Sequence, residues 1–249
     1  MNKYVIIALI ITVGIYLLVV YKNYILWFIK EAKYTLKKKN DIAKLKKVDQ
    51  NKTKLNSEQI KKYISLSKKY LNNLNLNTSR MFIINKELER HLVYSKFSEK
   101  YLIELLNEIA KYINVDSSKI KLKVNYISSK QDLKYAGIYR NAEEGKEIHL
   151  NIKNDMTISN IVSILIHECT HYLLMSNNIK LEDEQENEYL TEVTSILLGF
   201  EKYMLEGYKM SNAIIYRGVG RLSVKKDRVG YLTYKDVEKV IREKKKYDR

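Results

Sequence analysis

The pentapeptide His-Glu-Cys-Thr-His at residues 167–171 constrains this chain more than any other feature of its sequence. Residues four apart in a helix lie on one face about one turn apart, so His167 and His171 can reach the same metal ion. The apolar run 161–166 that precedes them predicts a buried helix. Asp155 or Thr157 can cap this helix, and we expect it to run to about Met175.

Glu168 lies about 100° around the same helix from His167, beside the face that would hold the metal. From there its carboxylate can take a proton from a water molecule and later pass it to a leaving group. The pattern His-Glu-x-x-His is a signature of zinc peptidases, whose catalytic zinc has three protein ligands and one open position. Two structural histidines are the alternative interpretation, which the surrounding apolar helix disfavours.

A third ligand is expected from a second apolar segment, which residues 187–192 open and which follows a run of acidic residues. Glu188 and Glu192 are four apart and share one face, which continues with the small residues Ser195 and Gly199. Small residues there would let this helix approach the histidine helix closely. Either glutamate can be the third ligand on this evidence, and a solvated acidic face is the alternative for both.

His-Glu-x-x-His followed by Asn-Glu-x-x-x-Glu resembles the gluzincin clan of zinc metallopeptidases, the thermolysin-like group, over residues 159–200. The resemblance implies three zinc ligands, His167, His171 and Glu188. It also implies that Glu168 is the general base and that Glu192 orients a ligand histidine from behind. The clan usually has Asp at the position of Glu192. The short interval between the second histidine and the first glutamate requires a compact connection.

We expect an α+β fold in which a small sheet precedes the two site helices. Residues 119–126 and 147–152 alternate apolar and polar side chains, which is typical of half-buried strands, and 135–140 can form a third strand. In the gluzincin resemblance an edge strand before the histidine helix holds the substrate, so 147–152 is the candidate by chain order. His149 is expected to face outward from this strand. Helices are predicted over residues 57–74, 82–93, 98–113 and 231–245.

Three tyrosines in the last part of the chain, Tyr208, Tyr216 and Tyr231, are candidates for the hydroxyl that stabilises an oxyanion. Ser57 is the expected cap of the helix at 57–74. The helix that carries Glu188 and Glu192 is expected to continue to about Leu205. Residues 211–230 contain several glycines and arginines, and we interpret them as a loop near the cleft.

Residues 4–21 contain no charged side chain. A helix of these 18 residues would be about 27 Å long, which is enough to cross the core of a bilayer. A cleaved signal peptide is the alternative, but no small-x-small cleavage pattern follows the run. The sequence therefore predicts an N-terminal transmembrane helix as a single-pass anchor in the lipid bilayer. The lysines that follow it favour a cytoplasmic catalytic domain.

The expected organisation is a transmembrane anchor at 1–30, a basic linker at 31–56 and a zinc metallopeptidase-like domain at 57–249 with its core at about 118–207. The formal net charge is +16, but absent proline and abundant lysine indicate a biased composition, and no nucleic acid is expected as a partner. One cysteine excludes an intrachain disulfide. We expect a membrane-anchored zinc endopeptidase that acts on peptide or protein substrates. A non-catalytic membrane-bound sensor or scaffold is the alternative.

Overall fold

The computed structural model describes residues 25, 54–128, 135–142, 145–154, 156–210 and 230–247. The chain divides into two units, and every element below belongs to the second, residues 50–249. The predicted anchor at 4–21 and nearly all of the basic linker lie outside the described residues. Within the described part of the chain, no helix has both the length and the apolar character needed to cross a membrane.

The unit begins with helices α1 (Ser57–Asn73), α2 (Lys86–Tyr94) and α3 (Glu99–Tyr112). The cap of α1 is Asn56 rather than the predicted Ser57, because the Asn56 side chain accepts the N–H of Gln59 at 2.8 Å. The N–H of Asn56 in turn donates to the side-chain oxygen of Gln59 at 3.0 Å, which completes a capping box. The apolar stripe of α3 is buried as its spacing predicts, through Leu102, Leu105, Leu106 and Ile109.

The helix predicted from residue 82 begins later, because the backbone before Lys86 is bonded to another part of the chain. The N–H of Phe82 donates to the carbonyl of Gly199 at 3.0 Å, and the N–H of Ile84 donates to the hydroxyl of Tyr203 at 3.0 Å. These backbone groups are therefore engaged with a distant part of the chain, and α2 starts only at Lys86.

The predicted small sheet is present, with strands β1 (Ile120–Ile127), β2 (Gly137–Ala142) and β3 (Gly145–Lys153). Its order is β1-β3-β2, with β3 parallel to β1 and antiparallel to β2. The prediction that 147–152 forms the edge is wrong, because these residues lie in the central strand. Ile148 on one face of β3 and Lys153 on the other are both buried, as expected of a strand that is covered on both sides.

The remaining elements are α4 (Ile158–Ser176), α5 (Glu184–Ser195), a π-helical segment (Ile196–Phe200), α6 (Glu201–Met210) and α7 (Tyr234–Tyr247). Helix α4 packs against β2, α5 and α6. The prediction of one continuous helix to about Leu205 is wrong at Gly199, whose φ is +99°. A Cβ on Gly199 would collide with the carbonyl oxygen of Arg80, so only glycine fits where this segment passes.

Of the two small residues predicted to allow a close approach to α4, Ser195 does so and Gly199 does not. The hydroxyl of Ser195 donates to Oγ1 of Thr170 at 2.9 Å, as expected of a small residue at the α4–α5 contact. Gly199 contacts residues 80–82 instead of α4. Gly207 in α6 provides the second close approach, because a Cβ there would collide with Ser163 of α4.

Candidate metal centre

Helix α4 holds the two histidines of the motif on a rigid and mostly buried element. Thr157 caps it, accepting the N–H of Asn160 at 3.3 Å, while the other predicted cap, Asp155, lies outside the described residues. The opposite side of α4 is fixed in the core by Ile161, Leu165 and Cys169. The rings of His167 and His171 lie 4.6 Å apart between centroids, nearly perpendicular at 80°.

Glu188 of α5 completes a group around one point. Its Oε2 lies 3.0 Å from Nε2 of His167 and 3.0 Å from Nε2 of His171. The side chains of His167, His171 and Glu188 are only 12%, 15% and 14% exposed, respectively. Their potential ligand atoms lie within 4.8 Å of one another. This group of two histidines and one glutamate can hold a metal ion.

The short connection between α4 and α5 is compact, as the residue interval requires. Asn178 turns the chain with φ +56°, and the N–H of Ile179 donates to the carbonyl of Leu174 at 2.9 Å. The side chain of Asn187 then binds Leu181 twice, accepting its N–H at 2.6 Å and donating to its carbonyl at 2.7 Å. Asn187 therefore fixes the connecting segment next to Glu188.

Glu192 lies on the far side of His167, with Oε1 at 3.9 Å from Nδ1. That Nδ1 is buried and has no hydrogen-bond partner among the described residues. The carboxylate of Glu192 is fully buried and accepts the hydroxyl of Tyr208 and the N–H groups of Tyr231 and Leu232, the last at 2.6 Å. Glu192 is thus directed at the rear of a histidine ring and is outside the group formed by Glu188.

Thr191 supports the other histidine and was missed from sequence. Its Oγ1 donates to the carbonyl of Asn187 at 2.8 Å and lies 3.3 Å from Nδ1 of His171. Because its one proton is given to Asn187, the hydroxyl accepts from Nδ1–H of His171, which leaves Nε2 as the ring nitrogen that can bind a metal ion. The available signal was its place three residues after Glu188, on the same face of α5.

The contacts of His167, His171 and Glu188 favour a positive charge between them. Nε2 of His171 faces a carboxylate oxygen of Glu188 at 3.0 Å, and either a proton or a metal ion can lie between these two atoms. Burial lowers the pKa of His167, but its hydrogen bond to Glu188 and the surrounding carboxylates outweigh this and raise it to about 9. The site therefore attracts positive charge, and its donor set suits a metal ion.

Glu168 lies beside the group, against strand β2. It is 5% exposed, and burial raises the pKa of its carboxyl above the ordinary value. The backbone of Tyr139 donates a hydrogen bond to it. A Cβ on Gly137 would lie 2.6 Å from Oε1 of Glu168, so the absence of a side chain at residue 137 lets β2 lie directly on this carboxylate.

A cleft of about 670 Å³ opens over the metal group. Its floor is the face of α4 from Ser163 to Met175, and β2 and the segment before α5 form its walls. Tyr231 lies in this cleft with its ring stacked on His167, at 6.0 Å between centroids and 18° between planes. The hydroxyl of Tyr208 is bound to Glu192, and Tyr216 lies outside the described residues, so Tyr231 is the described candidate whose ring lies against a histidine of the group.

The two other histidines lie outside the group. His149 places Nε2 at 2.8 Å from Oε2 of Glu147, whose other oxygen binds Lys123 at 2.6 Å. His91 stacks on Tyr101 at 4.8 Å between ring centroids.

No protein-family model, curated protein or solved structure matches this chain. The gluzincin resemblance of residues 159–200 therefore stays a prediction, and the contacts of the side chains themselves are the basis for assigning a function.

Proposed function

We propose that this chain is a zinc-dependent endopeptidase, held at a membrane by residues 4–21 with its catalytic domain in the cytoplasm. The observation that carries the proposal is the convergence of two imidazole nitrogens on Oε2 of Glu188, each at 3.0 Å, with buried Glu168 beside them. Two nitrogens and one carboxylate oxygen are the donor set of many catalytic zinc sites, which leave a fourth position open.

The spacing of the ligand atoms also supports zinc. Ligand atoms around a tetrahedral zinc ion lie about 3.3 Å apart, given metal–ligand bonds of about 2.0–2.1 Å. The distances of 3.0 Å from Glu188 to each histidine need to open by only a few tenths of an ångström. Glu192 and Thr191 lie behind the two rings, in the places of the hydrogen-bond partners that orient ligand histidines.

The residues around the group suit the hydrolysis of a peptide bond. When bound, zinc would polarise the scissile carbonyl and lower the pKa of water towards about 7. Glu168 accepts a proton from the attacking water as the new C–O bond forms, and gives it to the leaving amine as the C–N bond breaks. Burial raises the pKa of this carboxyl above its ordinary value, which is the direction that helps it to hold the proton between the two transfers.

Tyr231 is suited to donate a hydrogen bond to the developing oxyanion. Burial and the charges of Glu188, Glu168 and Glu192 raise its pKa to about 12, so the hydroxyl keeps its proton at neutral pH. Hydrogen bonds from its own N–H and that of Leu232 to Glu192 fix the backbone that carries the ring.

Strand β2 is suited to hold an extended peptide. The N–H of Asn151 donates to the carbonyl of Ala136, so residues 136 and 138 bond to β3 while Gly137 and Tyr139 direct their backbone groups to the edge that pairs with no strand among the described residues. At this edge the N–H of Tyr139 is bound to Glu168, and the backbone groups of Gly137 and the carbonyl of Tyr139 face a substrate. This edge lies over Glu168 and along α4. A substrate added there as a strand would pass across the metal group.

Metal analysis together with a hydrolysis assay tests this proposal. We expect about one zinc ion per chain in the wild type and a loss of zinc from His171→Ala and Glu188→Ala. Glu168→Gln should retain zinc and lose hydrolysis of unstructured peptides, while His149→Ala, outside the group, should behave as wild type. Metal-free wild-type protein that is indifferent to chelators would favour the scaffold alternative.

The anchor is tested separately from the chemistry. Deletion of residues 1–30 should move the protein from the membrane fraction to the soluble fraction without changing its zinc content. A full-length protein that remains soluble would contradict the anchor and leave the enzymatic proposal standing.

A further inference from the structure

The cleft is long enough to contact several residues of an extended peptide. Its floor follows α4 from Ser163 to Met175, a rise of about 18 Å at 1.5 Å per residue. Strand β2 runs alongside, since Gly137 contacts Ile164 and Glu168 while Tyr139 packs against Tyr172 further along α4. A peptide beside β2 would therefore follow the helix for about five residues, at about 3.3 Å each.

The end of the cleft beyond His171 has an apolar surface. Met175 lies one helical turn after His171 on the same face and is 41% exposed, although most of the apolar residues of α4 are buried. Ile179 lines the same end and is partly exposed, and its N–H is bound to the carbonyl of Leu174. Among the described residues, Met175 and Ile179 therefore present an apolar surface to this end of the cleft.

This apolar surface has a fixed position because the chain around it is held on both sides. Leu174 is 3% exposed and anchors the floor, and Asn187 binds Leu181 just beyond Ile179. Charged residues of the same end, Lys180 and Glu182, are exposed at the rim. An apolar ligand group can therefore bury Met175 and Ile179 without burying a charge.

We propose that Met175 and Ile179 form a specificity subsite, and that the preferred substrates are peptides with a bulky aliphatic side chain over the C-terminal end of α4. This inference rests on the proposed peptidase function and names the substrate class of the same cleft. Met175 is about 6 Å along the helix from His171, so the selected residue lies within about two residues of the bond that is cleaved. The flexible thioether of methionine can adapt to leucine, isoleucine or methionine side chains.

The binding test uses the Glu168→Gln protein, which should hold peptides without cleaving them. The probes are fluorescein-labelled decapeptides of alternating alanine and serine, with or without one central leucine, followed by fluorescence anisotropy. The leucine peptide should bind about tenfold more tightly, as expected for a side chain several carbons larger in an apolar pocket. Adding Met175→Gln, which keeps the length of the side chain, should remove that preference.

Met81→Gln is the matched control, because Met81 is 55% exposed and is absent from the lining of the cleft. It should leave the preference for the leucine peptide unchanged. Equal binding of both peptides to Glu168→Gln, or a preference that survives Met175→Gln, would overturn the subsite.

Hydrolysis of the same peptides separates this inference from the function on which it rests. The wild type should cleave the leucine peptide with a kcat/KM about tenfold above that of the alanine-serine peptide, and Met175→Gln should reduce this ratio towards one. Zinc-loaded wild type that binds the leucine peptide selectively but hydrolyses neither peptide would refute the peptidase and retain the subsite. Cleavage that depends on Glu168 but is equally fast for both peptides would support the peptidase and refute the subsite.

Discussion

Oγ1 of Thr191 lies 3.3 Å from Nδ1 of His171 and gives its own proton to the carbonyl of Asn187. The hydroxyl therefore accepts from Nδ1–H of the imidazole, which directs Nε2 towards Glu188 as the nitrogen available to a metal ion. One helix thus contacts His171 from both sides, through Thr191 behind the ring and Glu188 in front of it.

Thr191→Val should weaken zinc binding without unfolding the protein. Valine has nearly the same shape as threonine but cannot accept the proton of His171, so the favoured tautomer and ring orientation lose their support. We expect zinc affinity to fall by about tenfold to a hundredfold, measured by competition with a chromogenic chelator. Thr191→Ser keeps the hydroxyl and is the matched control. Equal zinc affinity in the valine and serine variants would show that this bond does not orient the ligand.

Glu192→Gln should destabilise the protein more than the loss of one ordinary hydrogen bond. The carboxylate accepts the hydroxyl of Tyr208 and the N–H groups of Tyr231 and Leu232, whereas an amide has only one acceptor oxygen. One buried backbone donor is then unsatisfied, at a cost of about 1–3 kcal/mol in the free energy of unfolding, measured by urea denaturation.

Tyr208→Phe is the control for this change, because it removes one donor and leaves both backbone groups with their acceptor. It should cost less, about 1 kcal/mol. If the two variants unfold at the same urea concentration, the carboxylate of Glu192 is not the anchor of residues 231–232.

The parts of the site that the sequence predicted are those determined by local helical geometry. The spacing of His167 and His171 places both on one face of any helix, and the same holds for Glu188 and Glu192. Which glutamate meets the imidazole nitrogens depends on how α5 is rotated against α4. The gluzincin resemblance named Glu188, and the contacts place Glu188 in front of the rings and Glu192 behind.

The parts that could not be predicted depend on residues far apart in the chain. The bonds from Tyr231 and Leu232 to Glu192 join residues that are 39 and 40 positions apart. The order of the strands is likewise a property of pairing, and alternation within 147–152 indicates a strand without indicating its neighbours. The helix that carries Glu188 is interrupted at Gly199, where the backbone of Arg80 lies in close contact. The local sequence gives no signal for this contact.

Gly137→Ala should impair catalysis while leaving the metal group intact. A Cβ at this position would collide with Ile164 and lie 2.6 Å from Oε1 of Glu168, so β2 must move away from the proposed general base. We expect a zinc content equal to that of the wild type and a kcat for peptide hydrolysis at least about tenfold lower, since small misplacements of reacting groups are costly. Wild-type kcat in this variant would mean that the contact between β2 and Glu168 does not position the base.

The pKa shifts of the metal-free site predict how its stability depends on pH. Hydrogen bonds with Glu188 and nearby carboxylates outweigh burial and raise the pKa of His167 from 6.5 to about 9, while burial of Glu188 is outweighed by its two histidine partners, which lower its pKa from 4.5 to about 2. The contribution of His167 to the free energy of unfolding is complete below pH 6.5 and is lost as the pH rises through about 9. That of Glu188 is complete above pH 4.5 and is lost as the pH falls through about 2.

Zinc binding should become stronger as the pH rises, because the ion must displace the proton from the imidazole of His167. This is opposite to the effect of His167 on stability. The zinc affinity should rise about tenfold per pH unit between about pH 6 and about pH 8, with roughly one proton released from this ring for each ion bound. Calorimetry in buffers of different ionisation enthalpy measures that proton directly. In Glu188→Gln the proton on His167 loses its main partner, so zinc binding should be weaker and the proton release smaller at the same pH. A zinc affinity that does not change over this range would mean that His167 is already neutral in the metal-free protein, and that the carboxylates around it do not hold the charge that their positions imply.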